Sequence, residues 1–329
     1  PLVMQEQGGH LAIMRQLKLD FRKLELDSWA YRANKWDTVT EPVKIAIVGK
    51  YTGLGDSYLS VTKALMHSAI SADRKLDIVW VEAGLLEDNT LADDPPGHAE
   101  AWAKVHNVDG ILVPGGFGER GTEGKILAAK YARENQVPFL GICLGMQAAV
   151  IEYARSVLGM KNAHSTEMVP DCAEPAVIFM PEGSTTHMGG TMRLGSRRTI
   201  FQTQDCKAAK LYNSLPFIDE RHRHRYEVNP DIVDRLEEAG CVFVGKDETN
   251  RRMEILELCD HPFFLATQYH PEYKSRPGRP SPPFMGLVLA ASGQLDQYLT
   301  SDAISMRVNA PGGFLQSPLK ALKGLTKKE

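Results

Sequence analysis

The chain has 329 residues, 43% of them hydrophobic and 24% charged, with 38 basic against 41 acidic side chains and a net charge of −3. That composition belongs to an ordinary globular protein with enough apolar residues for a sizeable core, and its balanced charge supplies no overall field to draw in nucleic acid or an anionic membrane. The longest apolar runs, such as residues 286–291, fall far short of a bilayer span, and no charged-then-apolar leader opens the chain.

Residues 1–42 carry helical apolar spacing at Leu11, Met14 and Leu17 and then a polar stretch ending at Pro42, with no strand among them. From Val43 the pattern changes. A short apolar strand is expected over 44–51, and helical spacing over 56–72 follows Asp56, a residue type that caps helices. Strands at 76–81, 109–116 and 137–143 are apolar on both faces, as buried parallel strands are, and helical stretches fall near 99–106, 121–134 and 144–157. Alternation of this kind predicts a doubly wound α/β fold. Beyond Asn162, alternating segments at 176–180, 198–204, 240–245, 253–258 and 264–270 predict an antiparallel extension of a mixed sheet, closed by a helix over 283–299. The organisation expected is a leading segment (1–42), one main domain (43–300) and a Gly-, Pro- and Lys-rich flexible tail (301–329).

Five cysteines, Cys143, Cys172, Cys206, Cys241 and Cys259, form neither a CxxC pair nor a disulfide framework, which points to a reducing cytoplasm. One of them stands apart. Cys143 sits between Gly141 and Gly145, after an apolar strand and before a helical run, in the manner of a nucleophile elbow with Cys in place of Ser. A tight strand-to-helix turn leaves no room for a Cβ two residues to either side, and the helix start favours a thiolate. A buried small residue is the plain alternative; the paired glycines count against it.

A catalytic thiol needs a base, and the base needs a group to orient it. His270-Pro271-Glu272 offers both, since residues two apart in an extended segment face the same side. Gly115, Gly116 and Gly118, in the run 113–118 that ends the strand at 109–116, can turn backbone N–H groups toward a reacting carbonyl, so the amides of Gly116 and Leu144 are candidate oxyanion donors. No HExxH, clustered Cys/His or phosphate-loop pattern occurs, so neither metal nor cofactor is expected within the chain.

Taken in order, PGGFG, GICLGMQ and QYHPE resemble the class I (triad) glutamine amidotransferases. The strings at 49–65, 114–125, 189–195, 220–230 and 275–284 narrow the resemblance to the CTP synthase family over about residues 43–300. The resemblance implies a flavodoxin-like, doubly wound mixed β-sheet flanked by helices, and hydrolysis of L-glutamine through a Cys143 glutamyl thioester. It implies a substrate pocket of Gly116, Phe117, Leu144, Gln147, Glu167 and Arg225, in which Arg225 suits an α-carboxylate and Glu167 an α-ammonium. It associates Arg120, Gly121 and Glu123 with a GTP effector. In that family a synthetase domain of the same polypeptide forms homotetramers and uses ATP, Mg2+ and UTP to consume the ammonia, and residues 1–21 resemble its trailing end. Residues 1–42 are too few to build that domain, so the chain alone is expected to hydrolyse glutamine without making CTP. Ala148 and residues 181–190 depart from the family's wording without touching the triad. An amidotransferase serving another acceptor, or a non-catalytic flavodoxin-like module, are the competing readings.

Overall fold

Val43, Ile45 and Ile47 point to one side of the first strand and Ala46 and Val48 to the other, and all five are fully buried. A strand apolar on both faces needs a helical layer against each. The computed structural model describes residues 1–21, 23–53, 55–180 and 192–300. The expected flexible tail at 301–329 and the departing segment at 181–190 therefore lie outside the described residues.

Twelve strands are present among these residues: β1 (Pro42–Gly49), β2 (Lys75–Glu82), β3 (Gly110–Val113), β4 (Phe139–Ile142), β5 (Ala163–Ser165), β6 (Glu174–Phe179), β7 (Arg193–Phe201), β8 (Phe217–His224), β9 (Tyr226–Val228), β10 (Cys241–Asp247), β11 (Met253–Leu258) and β12 (Phe264–Thr267). Nine form one sheet in the order β2-β1-β3-β4-β12-β11-β10-β7-β8, and β5-β6-β9 form a small second sheet. Strands β2, β1, β3, β4 and β12 run parallel, and from β12 outward every pairing is antiparallel. The mixed sheet with an antiparallel extension is thus as the alternation predicts.

The helices are α1 (Leu2–Glu6), α2 (Gly9–Gln16), α3 (Asp27–Thr38), α4 (Leu59–Ser71), α5 (Asp88–Asp93), α6 (Pro95–His106), α7 (Thr122–Glu134), α8 (Leu144–Ser156), α9 (Lys207–Leu211), α10 (Val233–Glu238), α11 (Pro282–Ala291) and α12 (Leu295–Tyr298). One core lies where α6, α7, α8 and α10 cover a face of the sheet, with Ala46, Val48, Ile126, Met146 and Leu236 among its members. The other lies under α4, α9, α11 and α12 and takes Ile45, Ile47, Leu65, Leu211 and Phe284. No helix among the described residues is long and apolar enough to cross a membrane.

Four local expectations are corrected. Asp56 does not cap α4, because residues 55–58 form a 3-10 turn and the cap position falls on Tyr58 without a side-chain bond. The strand at 75–82 is half exposed because it is the sheet's edge rather than its middle. The last helix is two, α11 and α12, separated where Gly293 takes φ +69°. The strand expected over 264–270 ends at Thr267, and a 3-10 turn over Pro271–Lys274 follows.

Candidate active site

The carboxyl ends of parallel strands are where an α/β sheet exposes its loops to ligands. Here the ends of β1, β3, β4 and β12 supply Lys50, the Gly115–Gly118 loop, Cys143 and the 268–272 segment. Registers β3–β4 and β4–β12 pair Val113 with Gly141 and Gly141 with Ala266, which brings those loops side by side.

Cys143 occupies the turn from β4 into α8 at φ 53°, ψ −104°, a strained backbone for a side chain with a Cβ. Its N–H is fixed by Thr267 O at 2.7 Å, and its carbonyl accepts from Met146 and Gln147. The flanking glycines have steric reasons. A Cβ on Gly145 would lie 2.1 Å from Val113 O, and one on Gly141 would lie 2.8 Å from the Gly145 backbone. Cys143 is buried, and its Sγ lies 3.8 Å from Arg223 O, at the outer limit even for sulfur. As the first residue of α8, Leu144 has an N–H with no acceptor inside the helix, directed at the nucleophile's end.

His270 is joined to this turn through Gly115. A Cβ on Gly115 would stand 2.7 Å from His270 Cε1 and 3.3 Å from Cys143 Cβ, so the missing side chain is what lets imidazole and nucleophile share one space. His270 N donates to Arg221 O at 2.7 Å, and its ring Nδ1 is 2.8 Å from Glu272 Oε1. Extended geometry does not bring that carboxylate round, since Glu272 lies in the 3-10 turn. Nδ1 engaged by a carboxylate leaves Nε2 as the working nitrogen, and Nε2 is buried without a protein hydrogen-bond partner. Burial pulls the imidazole pKa down, but the Cys143 sulfur and the Glu272 carboxylate outweigh burial and hold it well above the ordinary value.

The expected substrate residues each have their own surroundings. Phe117 is nearly half exposed with the Arg223 guanidinium 5.6 Å from its ring. Gln147, one turn into α8, is buried and donates to Tyr226 O at 3.0 Å and Gln268 Oε1 at 3.3 Å. Glu167 Oε1 accepts from Gly118 N at 3.1 Å, so its carboxylate already touches the glycine loop. Arg225 follows β8, and its Nε is buried without a partner. A guanidinium nitrogen left in that condition is an opening for an anionic group.

The three residues expected to meet an effector are engaged within the protein. Arg120 pairs with Glu82 at 3.0 Å and lies over Tyr51, while Gly121 takes φ +72° to begin α7. Glu123 accepts from both ends of Arg155 at 2.7 and 3.0 Å and stands 3.2 Å from His164 Nε2. The His164 bond leads, with burial opposing and Arg155 adding, in lowering its pKa to about 2. A depressed carboxylate contributes stability above its unfolded pKa, lost as pH falls through the folded one. With the Glu123 side chain 44% exposed, solvent screening leaves a contribution of about 1 kcal/mol. Glu123→Gln should therefore melt lower than the parent at neutral pH, and the gap should close between about pH 4.5 and about pH 2, as read by thermal unfolding across pH.

Several residues at the site carry no expectation from sequence. Lys50 Nζ donates to Phe117 O at 2.9 Å and Gly118 O at 2.6 Å, holding the glycine loop from the end of β1. Behind β8 lies a buried polar group in which Arg193 meets Glu254 at 2.6 Å and His222 Nδ1 lies 3.1 Å from His224 Nε2. Burial, with neighbouring His224 and Arg193 adding, lowers His222 to about 2; burial and Arg193 lower His224 to about 3, so both stay neutral supports at physiological pH. The signal was the alternation along β8, where Arg221 and Arg223 are exposed and Glu220, His222 and His224 buried. No group of three or more metal-ligating side chains is present among the described residues.

A strained cysteine elbow beside a histidine–glutamate pair at the end of a parallel sheet is the arrangement that a cysteine-triad class of α/β enzyme needs. Residues 54–290 match the family described as "Glutamine amidotransferase class-I", and the chain belongs to that family, within it to the CTP synthase glutaminase domains. Its structure is similar to the Trypanosoma brucei CTPS glutaminase domain with bound acivicin, at 38% identity and TM-score 0.70, covering 77% of this chain and 94% of that one. It is 56% identical to the CTP synthase of Candida glabrata over 278 residues, 83% of this chain and 48% of the relative. To CTP synthase 1 of Homo sapiens it is 51% identical over 303 residues, 91% of this chain and 51% of that one. The chain spans about half the length of the curated relatives it matches.

Proposed function

We propose that this chain hydrolyses L-glutamine to glutamate and ammonia as the glutaminase part of a CTP synthase. The observation that carries the reading is the elbow Cβ of Cys143 sharing the space beside Gly115 with a His270 ring oriented by Glu272. In the proposed reaction the thiolate attacks the side-chain amide carbon, and the amides of Gly116 and Leu144 receive the oxyanion. Nε2 of the imidazolium gives its proton to the leaving nitrogen, and ammonia departs to leave a thioester. The same Nε2 then takes a proton from water, whose oxygen attacks the thioester carbon. Collapse of that second intermediate expels the thiolate and yields glutamate. Glu272 holds the ring throughout and offsets its charge.

At the amino-acid end, Arg225 is placed to meet the α-carboxylate and Glu167 the α-ammonium, for which Glu167 must exchange its bond to Gly118. Arg225→Ala should raise KM for glutamine by about ten- to a hundredfold, the worth of one charge-assisted hydrogen bond, and change kcat little. Steady-state glutamate release measures this, and an unchanged KM would place the substrate elsewhere.

For the whole protein, ammonia released here serves ATP-dependent amination of UTP to CTP in a synthetase domain, with GTP as activator and cytoplasmic location, as a CTP synthase requires. The roughly 50% identity to CTP synthases over most of the chain supports this reading over a glutaminase serving another acceptor. The direct test is glutamate release by the purified chain, with and without acivicin. Turnover that acivicin abolishes supports the reading; no glutamate release at any glutamine concentration removes it.

A further inference from the structure

Lys125 is fully buried, in the first turn of α7, and its ammonium has no hydrogen-bond partner among the described residues. A lysine side chain is almost never wholly buried without a counter-charge, because an unpaired ammonium away from water is costly. Its Nζ lies directly behind the glycine loop: a Cβ placed on Gly116 would be 3.5 Å from it and 3.7 Å from Leu144 Cδ2. The lysine thus reaches Gly116, one of the two residues whose amides are assigned to the oxyanion, on the side where the Leu144 side chain also lies. The other lysine of the loop, Lys50, spends its ammonium on the Phe117 and Gly118 carbonyls. Lys125 has no such engagement.

We propose that Lys125 is a positioning residue for the thiolate and the oxyanion: its buried ammonium sets a positive charge behind Gly116 and Leu144 that favours anionic states at Cys143, and its stem holds the glycine loop in place. The inference rests on the glutaminase reading for the oxyanion, and on geometry alone for the thiolate. Preorganised charge of this kind acts at full strength because water cannot screen it.

The charged groups facing the ammonium are one cation that opposes its charge and three acidic groups that favour it. From the end of β1, Lys50 repels it; from the β4–α8 turn, Cys143 attracts it as an anion; from the end of β2 and from the 166–167 turn, Glu82 and Glu167 attract it more remotely. On its own helix Glu123 is spent on Arg155, from α8, and on His164. Burial is the largest influence, with Lys50 adding, and lowers the Lys125 pKa to about 7. A group so lowered carries its charge below that pH and loses it above, so its support for the anion fades as pH rises through neutrality.

Lys125→Met keeps the stem and removes the charge. The test is the rate at which iodoacetamide alkylates Cys143, read on its own peptide by mass spectrometry from about pH 5 to about pH 9, which requires no glutamine turnover. At about pH 6.5 the variant should react about three- to tenfold more slowly, with its alkylation midpoint moved up by about half to one pH unit. Its melting temperature should be no lower than the parent's, since methionine fills the same buried volume without a charge. In glutamine hydrolysis kcat should fall about tenfold with KM within about twofold. Equal alkylation profiles in parent and variant overturn the proposal. If the parent alkylates as expected but hydrolyses no glutamine, the glutaminase reading fails while the alkylation comparison still decides on Lys125. Should Lys125→Met not fold, the parent alone decides: its profile must be shallower through neutrality than a single ionisation, and a simple one-proton curve overturns the proposal.

Discussion

Cys143→Ala is expected to lower glutamate release by at least about 10^4-fold, to the background of the uncatalysed site, while leaving the melting temperature nearly unchanged. No other described nucleophile faces Gly115 and His270, so nothing can form the thioester in its place. The smaller side chain also suits the elbow: alanine at φ 53° is strained no more than cysteine is, and the void left is a single sulfur. Loss of the His270 imidazole should cost almost as much, because the two groups act as a unit and Nε2 is both the acid and the base of the cycle. Circular dichroism together with glutamate release separates this outcome from unfolding. A folded Cys143→Ala protein that still turns over glutamine within about a hundredfold of the parent would remove Cys143 as the nucleophile.

The parallel half of the fold was open to reading because its strands obey simple rules: residues 45–48, 111–113 and 139–142 are apolar without interruption, and glycines punctuate their ends. The elbow followed from Gly141 and Gly145, whose absent side chains the structure explains at atomic distances. The antiparallel half was harder. In β8 the buried positions are Ile218, Glu220, His222 and His224, and the last three are polar residues that hydropathy assigns to solvent; they are tolerated inside by bonds such as Tyr212 Oη to Glu220 and His222 to His224. The run 221–224, Arg-His-Arg-His, is therefore two faces in space, arginines outward and histidines inward. His270 and Glu272 were paired on extended geometry, yet the chain leaves the sheet at Thr267 and a 3-10 turn opened by Pro271 brings the carboxylate back to Nδ1. Lys125 shows the limit most plainly. Helical spacing sets it in line with Ala128, Ala129 and Ala132 on the inner face of α7, but local pattern does not tell which loop lies beyond that face.

Gly145→Val should be the most damaging single change outside the triad, because the position joins fold to chemistry. The Cβ alone would lie 2.1 Å from Val113 O and 3.0 Å from Val113 C, both backbone atoms of β3 that cannot swing aside as a side chain can. Relief requires α8 to move off β3, and α8 carries at its first turn Leu144, the proposed oxyanion donor, and Gln147, bonded to Tyr226 and Gln268. The clash itself should cost about 3 kcal/mol or more, at the upper end for overpacking, since backbone shifts on both elements are needed. Catalysis should suffer beyond the loss of stability. A displacement of about 1 Å between nucleophile and oxyanion donors is worth on the order of a hundredfold in rate, so kcat should drop by at least that factor in whatever fraction remains folded. Gly145→Ala meets the same Cβ contact with less added bulk and should show the same pattern in milder form. Urea unfolding of both variants, with glutamate release normalised to folded protein, measures the two effects apart. Parent-like stability in Gly145→Val would mean that α8 and β3 do not approach as closely as the glycine implies, and that the elbow's geometry rests on something other than contact with Val113.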